Sequence, residues 1–112
     1  MGLVKVGKKL SERDFKEAGK DYKTYIKITI DIENGIVMIG GEYHADAEKM
    51  LLDEGSKQEN IWGGGVNLET RKFDTNAIIN LRRGNDSTEI LDENSRNEFV
   101  KISKKLFRDY VR

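Results

Sequence analysis

The sequence predicts an α+β protein: a mainly antiparallel sheet of about four strands from two hairpins, helices packed on one face, in the order α-β-β-α-β-β-α. Three observations carry this. Ile26, Ile28, Ile30 and Ile32 alternate with Tyr25, Lys27, Thr29 and Asp31, a period-2 strand. Asn34-Gly35 follows directly and reads as a hairpin turn. Two later segments, HADAEKMLLDEG and the C-terminal stretch from Asp92, carry apolar residues at helical spacing.

Residues 1–10 hold three Lys and no clear pattern, so they read as a flexible basic arm ahead of a single α+β domain at 11–112. Ser11 suits an N-cap, and Glu12 and Asp14 suit the positive end of the short helix it opens. A type I′ turn at Asn34-Gly35 sets Glu33 opposite Ile36, Ile32 opposite Val37 and Ile30 opposite Ile39. It also sets Lys27 opposite Glu42 as an ion pair, and Tyr25 opposite His44. The outer sheet face, with Tyr25, Thr29, Met38 and Ile78, is expected to be open to a partner. The next helix buries Ala47, Met50 and Leu51 and ends at Gly55. The second β region runs from Ile61-Trp62 through a bulge at Gly63-Gly64-Gly65 to Val66–Leu68. It resumes at Phe73 and ends in a strand at Ala77–Arg82. The last helix begins at Asp92 or at Ser95, where Ser95-x-x-Glu98 fits a capping box, and buries Phe99, Ile102 and Leu106.

The chain has 112 residues, enough for one domain. No apolar run reaches the ~18 residues of a membrane span. The opening MGLVKVGKKLSERDF has no apolar core, so no secretory signal is expected. With no Cys there is no disulfide frame and no thiolate metal site, and a cytoplasmic setting follows. Net charge is zero but uneven. Residues 1–30 carry eight basic and four acidic side chains, residues 31–70 two and nine, residues 71–112 ten and seven. A dedicated nucleic-acid binder usually has a strong basic excess, so this balance argues against one.

Gly40 to Glu48 (GGEYHADAE), Leu51 to Gln58 (LLDEGSKQ), Trp62-Gly63, Ile79 to Arg82 (INLR) and Asn85 to Ser87 together resemble a family of small uncharacterised prokaryotic proteins, a domain of unknown function. The resemblance covers roughly residues 22–110 and implies a single domain with no assigned activity.

Glu42, His44, Asp46 and Glu48 are the densest group of metal-ligating types. Glu42 and His44 share a predicted sheet face, and His44 to Glu48 is an i, i+4 step. One imidazole with carboxylates suits a divalent ion, so Glu42, His44 and Glu48 are the candidate ligands and a divalent metal the candidate cofactor. A purely structural reading competes: Lys27 satisfies Glu42, and the helix dipole suits Asp46 and Glu48. His44 is the single His and therefore the candidate general base. Arg82 to Ser87 resembles an anion-binding loop, so Glu42, His44, Asn80, Arg82, Asn85 and Ser87 form the candidate ligand-binding set. Ordinary turn closure by Asn85 and Ser87 competes with it. Gly63-Gly64-Gly65 lacks the following Lys-Ser/Thr and helix of a phosphate loop.

The favoured function is a non-enzymatic module acting through a protein partner or as a homo-oligomer, with no membrane role. One alternative is a small metal-dependent hydrolase or anion-binding protein using Glu42, His44, Glu48 and Arg82. A second is weak nucleic-acid contact through Lys101, Lys104, Lys105 and Arg108, part of a basic stripe on the last helix that also holds Arg112.

Overall fold

The computed structural model describes residues 2–111. The fold is α+β. Its elements are β1 (Val4–Val6), α1 (Glu12–Ala18), β2 (Tyr25–Asp31), β3 (Ile36–Ile39), α2 (His44–Asp53), β4 (Ile61–Asn67), β5 (Phe73–Asp74) and α3 (Glu93–Leu106), with short 3-10 turns at Gln58–Asn60 and Ile78–Asn80. The five strands form one antiparallel sheet in the order β1-β3-β2-β4-β5.

Strand alternation sorts the side chains onto two faces. Ile26, Ile28 and Ile30 of β2 share one face with Val37, Ile39 and Val66, and there meet Leu10, Ala18, Phe99 and Phe107. Phe15 stacks on Tyr110 with ring centroids 4.7 Å apart and meets Phe107 edge-on at 6.2 Å, which ties α1 to the end of α3. On the other face Met38 and Ile61 pack against Ala47 and Leu51 of α2. The helices therefore cover both faces, and the expected one-sided arrangement is corrected. The physical reason is Met38: it points away from the isoleucine face and is buried, as is Thr29, so the outer face is a second core under α2 and not an open surface.

The hairpin keeps the predicted facing but shifts register by two residues. Ile30 pairs with Val37, Ile28 with Ile39 and Asp31 with Ile36. The loop closes on Asp31, whose carboxylate accepts the backbone N–H groups of Glu33 and Asn34 and whose carbonyl accepts Gly35 N–H at 2.8 Å. Gly35 takes φ 69°, while Arg71 is the one non-glycine residue at positive φ among those described. The turn is thus a four-residue loop built on an Asp side chain, not type I′. The predicted Lys27–Glu42 pair is lost with the register: the Lys27 carbonyl accepts Gly40 N–H, and the Lys27 ammonium lies 4.3 Å from the Tyr22 ring centroid.

Two further expectations change. Within residues 1–10, read as an arm, Val4–Val6 pairs with β3 and Leu10 is buried under Tyr110, whose hydroxyl donates to the Leu10 carbonyl. Gly63-Gly64-Gly65 is continuous strand, paired with Thr29, Ile28 and Lys27, and not a bulge. α3 is capped by Asp92, which accepts Ser95 N–H at 2.9 Å. Arg112, the last member of the basic stripe, lies outside the described residues.

Candidate functional site

The candidate ligand residues sit where α2, the triglycine strand and the loop 75–91 meet. His44 is the first residue of α2, and its Nε2–H donates to the Gly64 carbonyl at 2.7 Å. Its ring lies over Gly63, where a Cβ would come within 2.9 Å of His44 Cδ2. The triglycine run is thus the floor on which side chains rest: a Cβ on Gly65 would strike the Tyr25 ring and hydroxyl, and one on Gly64 would strike Phe99. Burial pushes the His44 pKa below its ordinary value, the Gly64 bond and Asp74 pull it back in part, and Lys27 adds to the fall. The imidazole is therefore neutral at neutral pH, with its proton on Nε2. Beside it the Tyr25 hydroxyl donates to Asp74 at 2.8 Å. Burial first, then the charges of Asp74 and Glu89, drive that phenol far above its usual range.

Asn80, Arg82 and Asn85 turn inward, and Ser87 closes a local turn at the surface. The Asn80 Oδ1 accepts Gly63 N–H at 2.9 Å, and its Nδ2 donates to the carbonyls of Gly63, Thr75 and Thr88. Asn85 Nδ2 donates to the carbonyls of Asn80, Ser87 and Glu89, and its Oδ1 accepts Leu91 N–H. Ser87 Oγ accepts Glu89 N–H. The Arg82 guanidinium donates to the carbonyls of Gln58, Ile61 and Ile79 and lies 4.0 Å over the Trp62 ring. Burial lowers its pKa and the nearby Glu48 charge opposes that fall. These side chains spend most of their polar groups on backbone; the buried Arg82 Nε, which has no partner among the described residues, is the exception. Within residues 77–82, expected as a strand, Ile78–Asn80 instead form a 3-10 turn, because the Asn80 amide is drawn to the β4 edge.

Glu42, His44 and Glu48 do not converge. Glu42 is exposed, and its contact is through its backbone carbonyl, which accepts the Tyr22 hydroxyl. Glu48 is half-buried beside Arg82. Among the described residues no three His, Asp or Glu side chains are grouped as a metal ion needs. The Gly-Gly before Glu42 is also a packing device. Gly40 and Gly41 take φ 82° and 86°, and a Cβ on Gly40 would lie 2.2 Å from the Gly2 carbonyl oxygen and 2.8 Å from Ala18 Cα.

Pinning the loop 75–91 from inside leaves apolar side chains outside. Ile78 is 79% exposed, Leu81 50% and Leu91 55%, while Asn80 between the first two is fully buried. In a 3-10 turn residues i and i+3 eclipse, so Ile78 and Leu81 share one side. The alternation predicts Ile78 on a sheet face and gives no sign of this patch. The available signal was Asn80 itself, a polar residue inside an apolar run that requires buried partners. A second surface lies across the molecule: a groove of about 570 Å³ floored by Val37, Ile102 and Leu106 and rimmed by Lys8, Lys9, Lys105 and Arg108.

Fold and site together define a small α+β domain with a sheet covered on both faces and its polar motif residues used for internal support. The chain belongs to a family described as proteins of unknown function, DUF5674, which matches over residues 4–106. No curated protein and no solved structure matches the chain. Among the described residues no helix is long and apolar enough to cross a membrane.

Proposed function

We propose that this protein is a non-enzymatic interaction module whose contact surface is the apolar side of the loop 75–91, formed by Ile78, Leu81 and Leu91. One observation carries the reading: Ile78 is exposed on a turn whose next polar residue, Asn80, is wholly buried and fully hydrogen-bonded. A loose loop would lose conformational entropy on docking; a loop already held by Asn80 and Asn85 loses less. Exposed, rigid aliphatic side chains of this kind suit the centre of an interface and contribute nothing to a solvated monomer. A second copy brings the same patch, and a two-fold contact would pair the patch with itself.

Sedimentation velocity over the micromolar range tests this. At high salt, which silences charge-driven contacts, the expected result is a reversible dimer that the double variant Ile78→Ser, Leu81→Ser abolishes, while the thermal midpoint measured below the dimerisation range stays unchanged, since both side chains are exposed. A parent chain that stays monomeric throughout, or a dimer indifferent to the double variant, would exclude self-association through this patch.

A further inference from the structure

We infer that the groove between residues 7–10 and the last turns of α3 receives the acidic outer face of α2 from a second copy of this chain. The groove floor is Val37, Ile102 and Leu106, and four cations, Lys8, Lys9, Lys105 and Arg108, stand at its rim against the single carboxylate of Asp109. None of the four cations is in an ion pair among the described residues. Such a rim attracts a negatively charged partner, and the floor accepts an apolar side chain from it.

The chain itself carries a surface of that kind. The outer face of α2 bears Asp46 and Asp53, with Glu54 just beyond its end, against one cation, Lys49, and its Met50 is 41% exposed between Asp46 and Asp53; Glu48 instead turns toward Arg82. Lys49 and Lys5 hold Asp53 and Glu54 in solvent-exposed pairs at 3.0 and 2.6 Å. Exposed pairs of this sort are weak and readily shared with a new cation. α2 and α3 lie on opposite faces of the sheet, so the two surfaces cannot meet within one molecule. Between copies they can, in a head-to-tail contact of unlike surfaces that closes into a ring or continues as a chain. The zero net charge removes any overall repulsion between copies. No aromatic ring lines the groove, which removes the stacking platform that a single-stranded nucleic acid would use.

This contact is separate from the apolar patch of the loop 75–91, and the experiment is built to keep them apart. All chains carry Ile78→Ser and Leu81→Ser, so that patch is silent. One variant adds Lys105→Glu and Arg108→Glu; the other adds Asp46→Lys and Asp53→Lys. Asp53, Lys105 and Arg108 are exposed and Asp46 is half-buried, and circular dichroism melts verify that each variant is folded. In sedimentation velocity at low salt the background chain should associate, each charge variant alone should be monomeric, and an equal mixture should recover association at least about tenfold tighter than either alone, falling away at high salt. A mixture that stays monomeric overturns the proposal, as does association of the background chain that salt does not weaken. If a charge variant fails to fold, the salt dependence of the background chain decides by itself. A monomeric background chain that instead binds anionic vesicles or single-stranded DNA through Lys105 and Arg108 also overturns it.

Discussion

Asn80 pairs with Gly63 as a neighbouring strand would, with its Oδ1 accepting the Gly63 N–H at 2.9 Å and its Nδ2 donating to the Gly63 carbonyl at 3.0 Å. β5 pairs only with Gly65 and Val66, so the β4 edge at Gly63 has no strand beside it and the carboxamide takes that place. The same Nδ2 reaches the carbonyls of Thr75 and Thr88 and so closes the loop that carries Ile78 and Leu81.

Replacing Asn80 by Ala should therefore cost about 3 kcal/mol or more, because several buried backbone groups lose their partner at once. Asn80→Asp should be similarly damaging, since a carboxylate offers no donor to three carbonyls. Urea denaturation measures both. A loss under about 1 kcal/mol for either would mean that the loop is held by something else.

Much of this architecture is legible in the sequence because it rests on local rules. The isoleucine alternation identifies β2, the spacing of Ala47, Met50 and Leu51 identifies α2, although Met50 proves exposed, and Asp92 marks the start of α3. What is not legible depends on groups far apart in sequence. The hairpin register turns on the Asp31 carboxylate, which is also bonded by Ser56 from beyond α2. The triglycine run looks like a bulge until His44, Tyr25 and Phe99 are seen to need its empty Cβ positions. Asn80, Arg82 and Asn85 look like ligand residues because polar side chains that bond distant backbone and polar side chains that bond a ligand have the same composition. In the structure they bond backbone.

The glycines separate steric from conformational cost. A Cβ on Gly64 would lie 2.2 Å from the Asp74 carbonyl oxygen and 2.7 Å from the Phe99 ring. Gly64→Ala should push β5 and α3 off the sheet and cost about 2–3 kcal/mol. Gly35 has open space around it and φ 69°, so Gly35→Ala should cost only the left-handed backbone penalty, about 1 kcal/mol. Chemical denaturation should rank them in that order; the reverse ranking would contradict the packing at the triglycine floor.

A divalent metal should have no effect on stability. A specific site would raise the melting temperature by mass action. Glu42, His44 and Glu48 are not grouped, and His44 already donates through Nε2 to Gly64. Scanning calorimetry with Mn²⁺ or Zn²⁺, and then with a chelator, should leave the midpoint where it is. A saturable upward shift that His44→Gln removes would restore the metal reading.

Acid should destabilise the fold in two separate steps, and the sign of each follows from a lowered native pKa. His44 is held neutral, chiefly by burial, so the unfolded chain takes up a proton at higher pH than the folded one. Stability from this source is complete above the unfolded value, about 6.5, and declines as pH falls through the native value. Burial alone would raise the Asp31 carboxyl, but hydrogen bonds from Asn34 and Ser56 and from the Asn34 and Glu33 backbone outweigh it and hold its pKa low. Its contribution is present above the unfolded carboxylate value, about 3.9, and is lost as pH falls below that through the native value. Urea midpoints measured from neutral pH downward should thus fall first below about pH 6.5 and again below about pH 4. His44→Gln keeps a donor for the Gly64 carbonyl and should flatten the first step while leaving the second. Asp31→Asn should lower the midpoint at every pH above the second step and shrink that step, leaving the part that Asp92 contributes through its hydrogen bonds with Ser95. A first step that survives His44→Gln would show that His44 is not the group that titrates, and with it would fall the assignment of a neutral, Nε2-protonated imidazole over the glycine floor.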